Sequence, residues 1–168
     1  MKIFLIGFMG SGKSHWGHLL SQKLGLRFFD LDKQIEEENG KSVNEIFSTE
    51  GEEHFRLLEK EILYIITESH DNFIMACGGG APCFYKNIDY MNDAGLVVWL
   101  NPPIEKILER LIKEKNTRPL IQDLSDEAIG GFIHKKMTDR KIYYEQARLM
   151  ITEENIKIEN LVEKIFHA

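Results

Sequence analysis

Cysteine is nearly absent from this 168-residue sequence, which holds only Cys77 and Cys83. Two cysteines exclude a disulfide-stapled scaffold and a cysteine-clustered metal site. Basic charge is in deficit. The chain has 21 Lys and Arg against 27 Asp and Glu, a net charge of −6, which argues against a general nucleic-acid binder. No apolar run reaches the length of a membrane span. The opening Met1-Lys2-Ile3-Phe4-Leu5-Ile6-Gly7 is too short for a signal-peptide core and lacks a small-residue cleavage site, so a cytoplasmic location is expected. Repeats, low-complexity tracts and Pro/Gly/Ser linkers are also lacking. The length suits one domain over residues 1–168, and a monomer acting on a small molecule, with no nucleic-acid or membrane partner.

What is present is a regular alternation of short apolar runs with helical patterns. Ile3–Ile6 reads as a strand buried on both faces. A helix follows from Lys13 to Leu24, ended by Gly25. Leu26–Phe29 reads as a second strand ending in Asp30-Leu31-Asp32, with a short helix starting at Ile35. Ser42 and Glu45 form a capping box for another short helix, and a longer one spans Gly51–Ser69. Phe73–Ala76 and Leu96–Leu100 are further strands. Pro102-Pro103 open a helix through Leu111, Ser125 caps one that extends towards Tyr144, and Leu149–Ile151 supplies a fifth strand before a last helix. The expected fold is α/β: a three-layer sandwich with a five-stranded parallel sheet between helices.

Gly7-Phe8-Met9-Gly10-Ser11-Gly12-Lys13-Ser14 fits G-x-x-x-x-G-K-[ST] directly between a strand and a helix. The glycines let successive N–H groups turn inward on phosphate oxygens, and the helix adds its positive end. Lys13 places a cation on the β- and γ-phosphates, and Ser14 offers a hydroxyl to Mg²⁺. Asp30 and Asp32, one residue apart, would share a face of an extended segment. One could serve a metal, the other a reacting hydroxyl, although either could equally cap the following helix. Arg56 and Arg140, taken singly, read as surface charges. Gly78-Gly79-Gly80 suggests close backbone approach to a bound group, and Arg118-Pro119-Leu120 lies in a polar stretch, about 113–124, where a lid would carry a charge clamp. His15 and His18 could share a helix face, but the helix start is already committed to phosphate.

Together these segments, with Phe29-Asp30-Leu31-Asp32, Ile46-Phe47, Gly51-Glu52-Glu53-His54-Phe55-Arg56 and Arg140 with Tyr143-Tyr144, resemble the shikimate kinase family over Met1 to about Leu149. The resemblance implies a P-loop kinase fold and transfer of the γ-phosphate of ATP, with Mg²⁺, to the 3-hydroxyl of shikimate in aromatic amino-acid biosynthesis. It implies ATP contacts from Gly10, Ser11, Gly12, Lys13, Ser14 and His15, with Arg110 beside adenine and Arg118 on phosphate. Lys13, Asp32 and Arg118 would carry catalysis, and Ser14 and Asp30 would serve Mg²⁺. Shikimate would be held by Asp32, Arg56 and Arg140, walled by Phe47, Phe55 and Gly78-Gly79-Gly80, within helices spanning about 31–69. The chain departs from the family pattern at His15-Trp16, at Cys77, in the length from Arg110 to Arg118, and in having no adenine-stacking proline after Pro119. The same architecture serves gluconate and nucleoside-monophosphate kinases, and non-catalytic nucleotide-binding relatives. The joint set of Asp30, Asp32, Arg56, the triple glycine and Arg140 separates this chain from those kinases, and intact Lys13, Ser14, Asp32, Arg118 and Arg140 count against a non-catalytic relative.

Overall fold

The central sheet follows from strands that are apolar on both faces. In the computed structural model, which describes residues 1–117 and 120–168, five parallel strands run in the order β2-β3-β1-β4-β5. They are β1 (Lys2–Ile6), β2 (Arg27–Asp30), β3 (Phe73–Ala76), β4 (Leu96–Leu100) and β5 (Leu149–Ile151). Alternate residues of each central strand serve opposite layers. Phe4, Ile6, Phe73, Met75, Val97 and Trp99 join the core beneath α2 (Leu31–Asn39), α3 (Val43–Ser69) and α4 (Asn87–Ala94). Ile3, Leu5, Ile74, Val98 and Leu100 join the opposite core with Leu20 of α1 (Lys13–Leu24) and Leu161 and Ile165 of α7 (Ile158–Phe166). A third cluster packs Phe8 of the phosphate loop against Ile107 and Leu111 of α5 (Ile104–Lys113) and Ile129 and Ile133 of α6 (Asp126–Tyr144).

Register brings three loops to one edge. Leu5 and Asp30 both lie opposite Ala76, so β1, β2 and β3 end level with one another. The phosphate loop, Asp30 and the triple glycine therefore emerge side by side at the carboxyl ends of parallel strands, where open α/β sheets bind ligands.

Most expected elements form at their expected positions. Ser42 and Glu45 make the full capping box, and Ser125 caps α6 through Ala128. The two expected helices of 42–69 run on as α3, broken at Gly51, whose φ of 86° and ψ of 167° lie outside helical space. Two findings differ from the sequence reading. Helix α2 begins at Leu31, not Ile35, with the Asp30 carboxylate accepting from the Lys33 N–H at 3.3 Å. Asp32 is therefore in the first turn of a helix, and the two aspartates do not share an extended face. The second difference is α4, which the sequence reading lacks. Its start carries no capping side chain: Tyr85 and Lys86 both adopt positive φ instead, and only Ile88, Met91 and Asn87 are buried.

Candidate active site

Two cavities meet at this sheet edge. The larger, about 610 Å³, is lined by Gly10, Gly12, Lys13, Ser14 and His15 of the phosphate loop and helix start, by Asp30, and at its far end by Arg110, Glu114, Glu154 and Asn155. The second, about 330 Å³, is lined by Phe47, Phe55, Arg56, Glu59, Gly80 and Arg140. Met9, Asp32, Gly78 and Gly79 belong to both walls.

The loop takes its curl from glycine. Gly10 and Gly12 have φ of 77° and 92°, left-handed values that other residues adopt only with strain. The Lys13 ammonium donates to the Gly7 and Phe8 carbonyls at 2.8 Å each, which tethers it across the loop mouth. Ser11 faces away: its side chain is buried and its N–H goes to the Phe8 carbonyl at 3.2 Å. Trp16 lies close beneath the loop, its Cδ1 3.4 Å from where a Cβ on Gly12 would stand. The Ser14 hydroxyl donates to Asp30 Oδ2 at 3.0 Å, so strand β2 and helix α1 bring two hard oxygen ligands together. Asp30 thus caps α2 with one oxygen and faces Ser14 with the other. His15 and His18 are each engaged by rings, Trp16 at 5.3 Å and Phe28 at 4.2 Å.

The second cavity is a ring of charges around glycine. Arg56 is 6% exposed, buried by Phe47, Phe55 and Phe84, with its guanidinium carbon 4.4 Å from the Phe84 ring centre. Its partner is Glu59, fully buried, at 2.7 Å, with Glu52 at 3.4 Å. The surface reading of Arg56 thus gives way to a buried pair. Burial pushes the Glu59 carboxyl up to about 7, against the pull of Arg56. Burial also lifts Asp32 up to about 6, with the Asp30 charge adding to the rise while Lys13 and Arg56 oppose it. Asp32 is partly exposed and lines both cavities.

The triple glycine does approach something closely, but it is the charged side chains themselves. None of the three needs a left-handed backbone. A Cβ on Gly78 would stand 2.9 Å from Glu59 Oε2 and 3.0 Å from Asp32 Oδ1. On Gly79 it would stand 3.0 Å from Arg140 Nη1, and on Gly80 it would collide with the Arg56 guanidinium. The Tyr144 hydroxyl holds this wall in place, donating to the Gly79 carbonyl at 2.6 Å. Cys77 precedes it as a buried thiol whose burial keeps it protonated.

Every expected site residue that is described, except Ser11, lines one of the two cavities. Arg118 lies outside the described residues. Arg110 donates to the Gly10 carbonyl at 2.9 Å, which fixes it at the loop's outer end. Sequence reasoning missed Glu59, Met9 and the Glu114–Glu154 end of the larger cavity. Glu59 stands three residues after Arg56 on a helix, the spacing of a side-chain pair, which was a usable signal. Met9 and Glu154 carried none beyond their place after a strand.

The family model for shikimate kinase matches residues 9–168. The shikimate kinase of Azobacteroides pseudotrichonymphae genomovar. CFP2 is 40% identical over 164 residues, covering 98% of this chain and 96% of that one. The crystal structure of shikimate kinase from Bacteroides thetaiotaomicron superposes with a TM-score of 0.91 at 37% identity, over 99% of this chain and 97% of its own. That of the Acinetobacter baumannii enzyme, solved in complex with shikimate, gives 0.85 at 34% identity, over 99% and 90%. With a P-loop, a five-stranded parallel sheet and this likeness along nearly its whole length, the chain belongs to the shikimate kinase family of ATP-dependent kinases.

Proposed function

We propose that the chain transfers the γ-phosphate of ATP to the 3-hydroxyl of shikimate, with the larger cavity taking the nucleotide and the smaller one the acceptor. The observation that carries this is the shared wall. Asp32 stands where the two cavities meet, so one carboxylate can touch the acceptor hydroxyl beside the phosphate loop. The acceptor cavity offers two arginines, a geometry suited to a carboxylate, set beside aromatic rings suited to a carbon ring.

Phosphoryl transfer needs positioning and charge neutralisation more than covalent help. Gly10, Gly12 and the start of α1 direct N–H groups at the phosphates, while Lys13 can exchange its loop carbonyls for phosphate oxygens. Ser14 and Asp30 supply two oxygen ligands, which fits a Mg²⁺ ion that takes the rest of its shell from phosphate and water. Bound there, Mg²⁺ would neutralise charge on the β- and γ-phosphates. Arg56 and Arg140 hold the shikimate carboxylate, and Glu59 fixes the angle of Arg56. Asp32 accepts the proton of the 3-hydroxyl as its oxygen bonds to the γ-phosphorus and the bond to the β–γ bridging oxygen breaks. A carboxyl lifted to about 6 is still ionised at neutral pH, yet is a stronger base than an ordinary aspartate.

The stretch 113–124 is assigned as a lid, supported by Leu120, which lines the acceptor cavity. Arg118 is assigned to phosphate on the family resemblance. Residues 1–168 are read as one kinase domain, its substrate helices at about 31–69, working as a cytoplasmic monomer without nucleic-acid or membrane partners. A coupled assay with purified protein, Mg²⁺ and ATP tests the reading. Turnover is expected with shikimate and not with gluconate or a nucleoside monophosphate. Turnover with either of the latter alone would refute the acceptor assignment, and ATP binding without turnover would refute the enzyme.

A further inference from the structure

We infer that Trp16 is a nucleotide-binding residue, whose indole packs against the purine at the base end of the larger cavity. The inference rests on that cavity being the nucleotide site. With the γ-phosphate at Lys13 beside Asp32, the nucleoside must run away from the wall that the two cavities share. It then reaches the end lined by His15, Trp16, Arg110, Glu114, Glu154 and Asn155. Trp16 belongs to that end on two counts. It lines the cavity itself, and with Arg110 and Glu154 it also lines a small neighbouring space of about 20 Å³.

The indole is held where a base can meet it. The Trp16 backbone N–H donates to the Gly12 carbonyl at 2.9 Å, and the indole Nε1 stands 3.6 Å from where a Cβ on Gly12 would be. Trp16 packs against the core cluster of Leu20 and Ile151, yet it is only partly buried. The His15 ring lines the same cavity and meets the indole edge-on, at 74°. Arg110 is held beside them by the Gly10 carbonyl at 2.9 Å and by Glu154 at 4.0 Å. An indole and a planar guanidinium are both surfaces on which the π-face of a base packs. Neither needs a hydrogen bond from the base, so their contribution adds to that of the phosphate contacts. The chain departs from the family pattern at Trp16, which makes this a contact of the chain rather than of the family.

Calorimetric titration of ADP and of tripolyphosphate tests the contact, because tripolyphosphate can fill the loop without a base. Trp16→Leu keeps apolar bulk beneath the loop and removes the aromatic ring. It should bind ADP about tenfold more weakly, with tripolyphosphate within about twofold of the unsubstituted protein. Trp16→Phe keeps a ring and should hold ADP within about threefold. A second readout leaves position 16 unchanged. The chain has two tryptophans, so in Trp99→Phe protein the emission reports Trp16 alone. At saturation ADP should quench it more strongly than tripolyphosphate does. Unchanged ADP affinity in Trp16→Leu, equal losses for both ligands, or equal quenching by both would overturn the contact and leave the nucleotide site standing. No ADP binding by the unsubstituted protein would overturn the nucleotide reading and the contact with it.

Discussion

Asp32 works under a tension between stability and chemistry. Its folded carboxyl sits near 6 against an ordinary 3.8, so the charged form is disfavoured in the fold. The sign follows from linkage. The favourable contribution of Asp32 is complete below about 3.8 and is lost as pH rises through about 6. Asp32→Asn should therefore stabilise the unliganded protein at pH 7.5, by at most about 3 kcal/mol, with the gain shrinking as pH falls through about 6 and gone below about 3.8. Thermal melts across that range read it directly. The same variant should keep most ATP binding and lose turnover by about two to four orders of magnitude, as positioned acid–base groups do. A destabilised Asp32→Asn with near-normal turnover would mean that Asp32 is only part of the first turn of α2.

Burial raises the Glu59 carboxyl in the same direction as Asp32, but the value of Glu59 lies in its partner, Arg56. Removing Glu59 leaves Arg56 buried beneath three phenylalanines, with the exposed Glu52 as its remaining ion-pair partner among the described residues. Glu59→Gln keeps the shape and loses the charge. The KM for shikimate should rise about tenfold or more while that for ATP stays within about twofold, since the cost falls on one guanidinium. Equal changes in both KM values would show general damage instead. Arg140→Ala should give the same split between the two substrates, measured by titrating each ligand separately.

At the scale of elements, glycine has opposite meanings at different positions. Gly51 interrupts α3 at φ 86°, ψ 167°, a conformation that alanine adopts only with strain. Gly51→Ala should destabilise by about 1–3 kcal/mol. Gly130 and Gly131 sit inside α6 with nothing within 4 Å of an added Cβ. Alanine at either should stabilise by up to about 1 kcal/mol through helix propensity alone. Denaturant midpoints of the three variants settle both signs. The sequence showed where these elements lie because capping residues, glycine stops and apolar periods are local. It did not show α4, whose start is built from left-handed Tyr85 and Lys86 rather than from a cap. It also misjudged α2, because Asp30 has two jobs, helix cap and Ser14 partner, and residue type cannot divide them.

Across the whole molecule, the residues that line the two cavities were legible as far as motifs reach. The phosphate loop, Asp30, Asp32, Arg56, the triple glycine and Arg140 were all named from the chain, and level strand ends bring them together. What stayed hidden was the internal support: Glu59 behind Arg56, Tyr144 behind Gly79, Met9 between the cavities. Tyr144 and Met9 depend on packing between distant segments, which no local pattern encodes, whereas Glu59 is a helical neighbour of Arg56 whose spacing could have been read. The reason for three consecutive glycines also emerged only in three dimensions, as space for the Arg56, Arg140, Asp32 and Glu59 side chains.

The central claim is that Asp32 selects one hydroxyl of shikimate at the junction of two cavities. Phosphorus–proton correlation NMR on the product made from shikimate and ATP reads out which carbon bears the phosphate. Phosphate on the oxygen at carbon 3 alone is the expected result. Phosphate on another hydroxyl, or a mixture, would contradict the assignment of Asp32 and the acceptor geometry built on it.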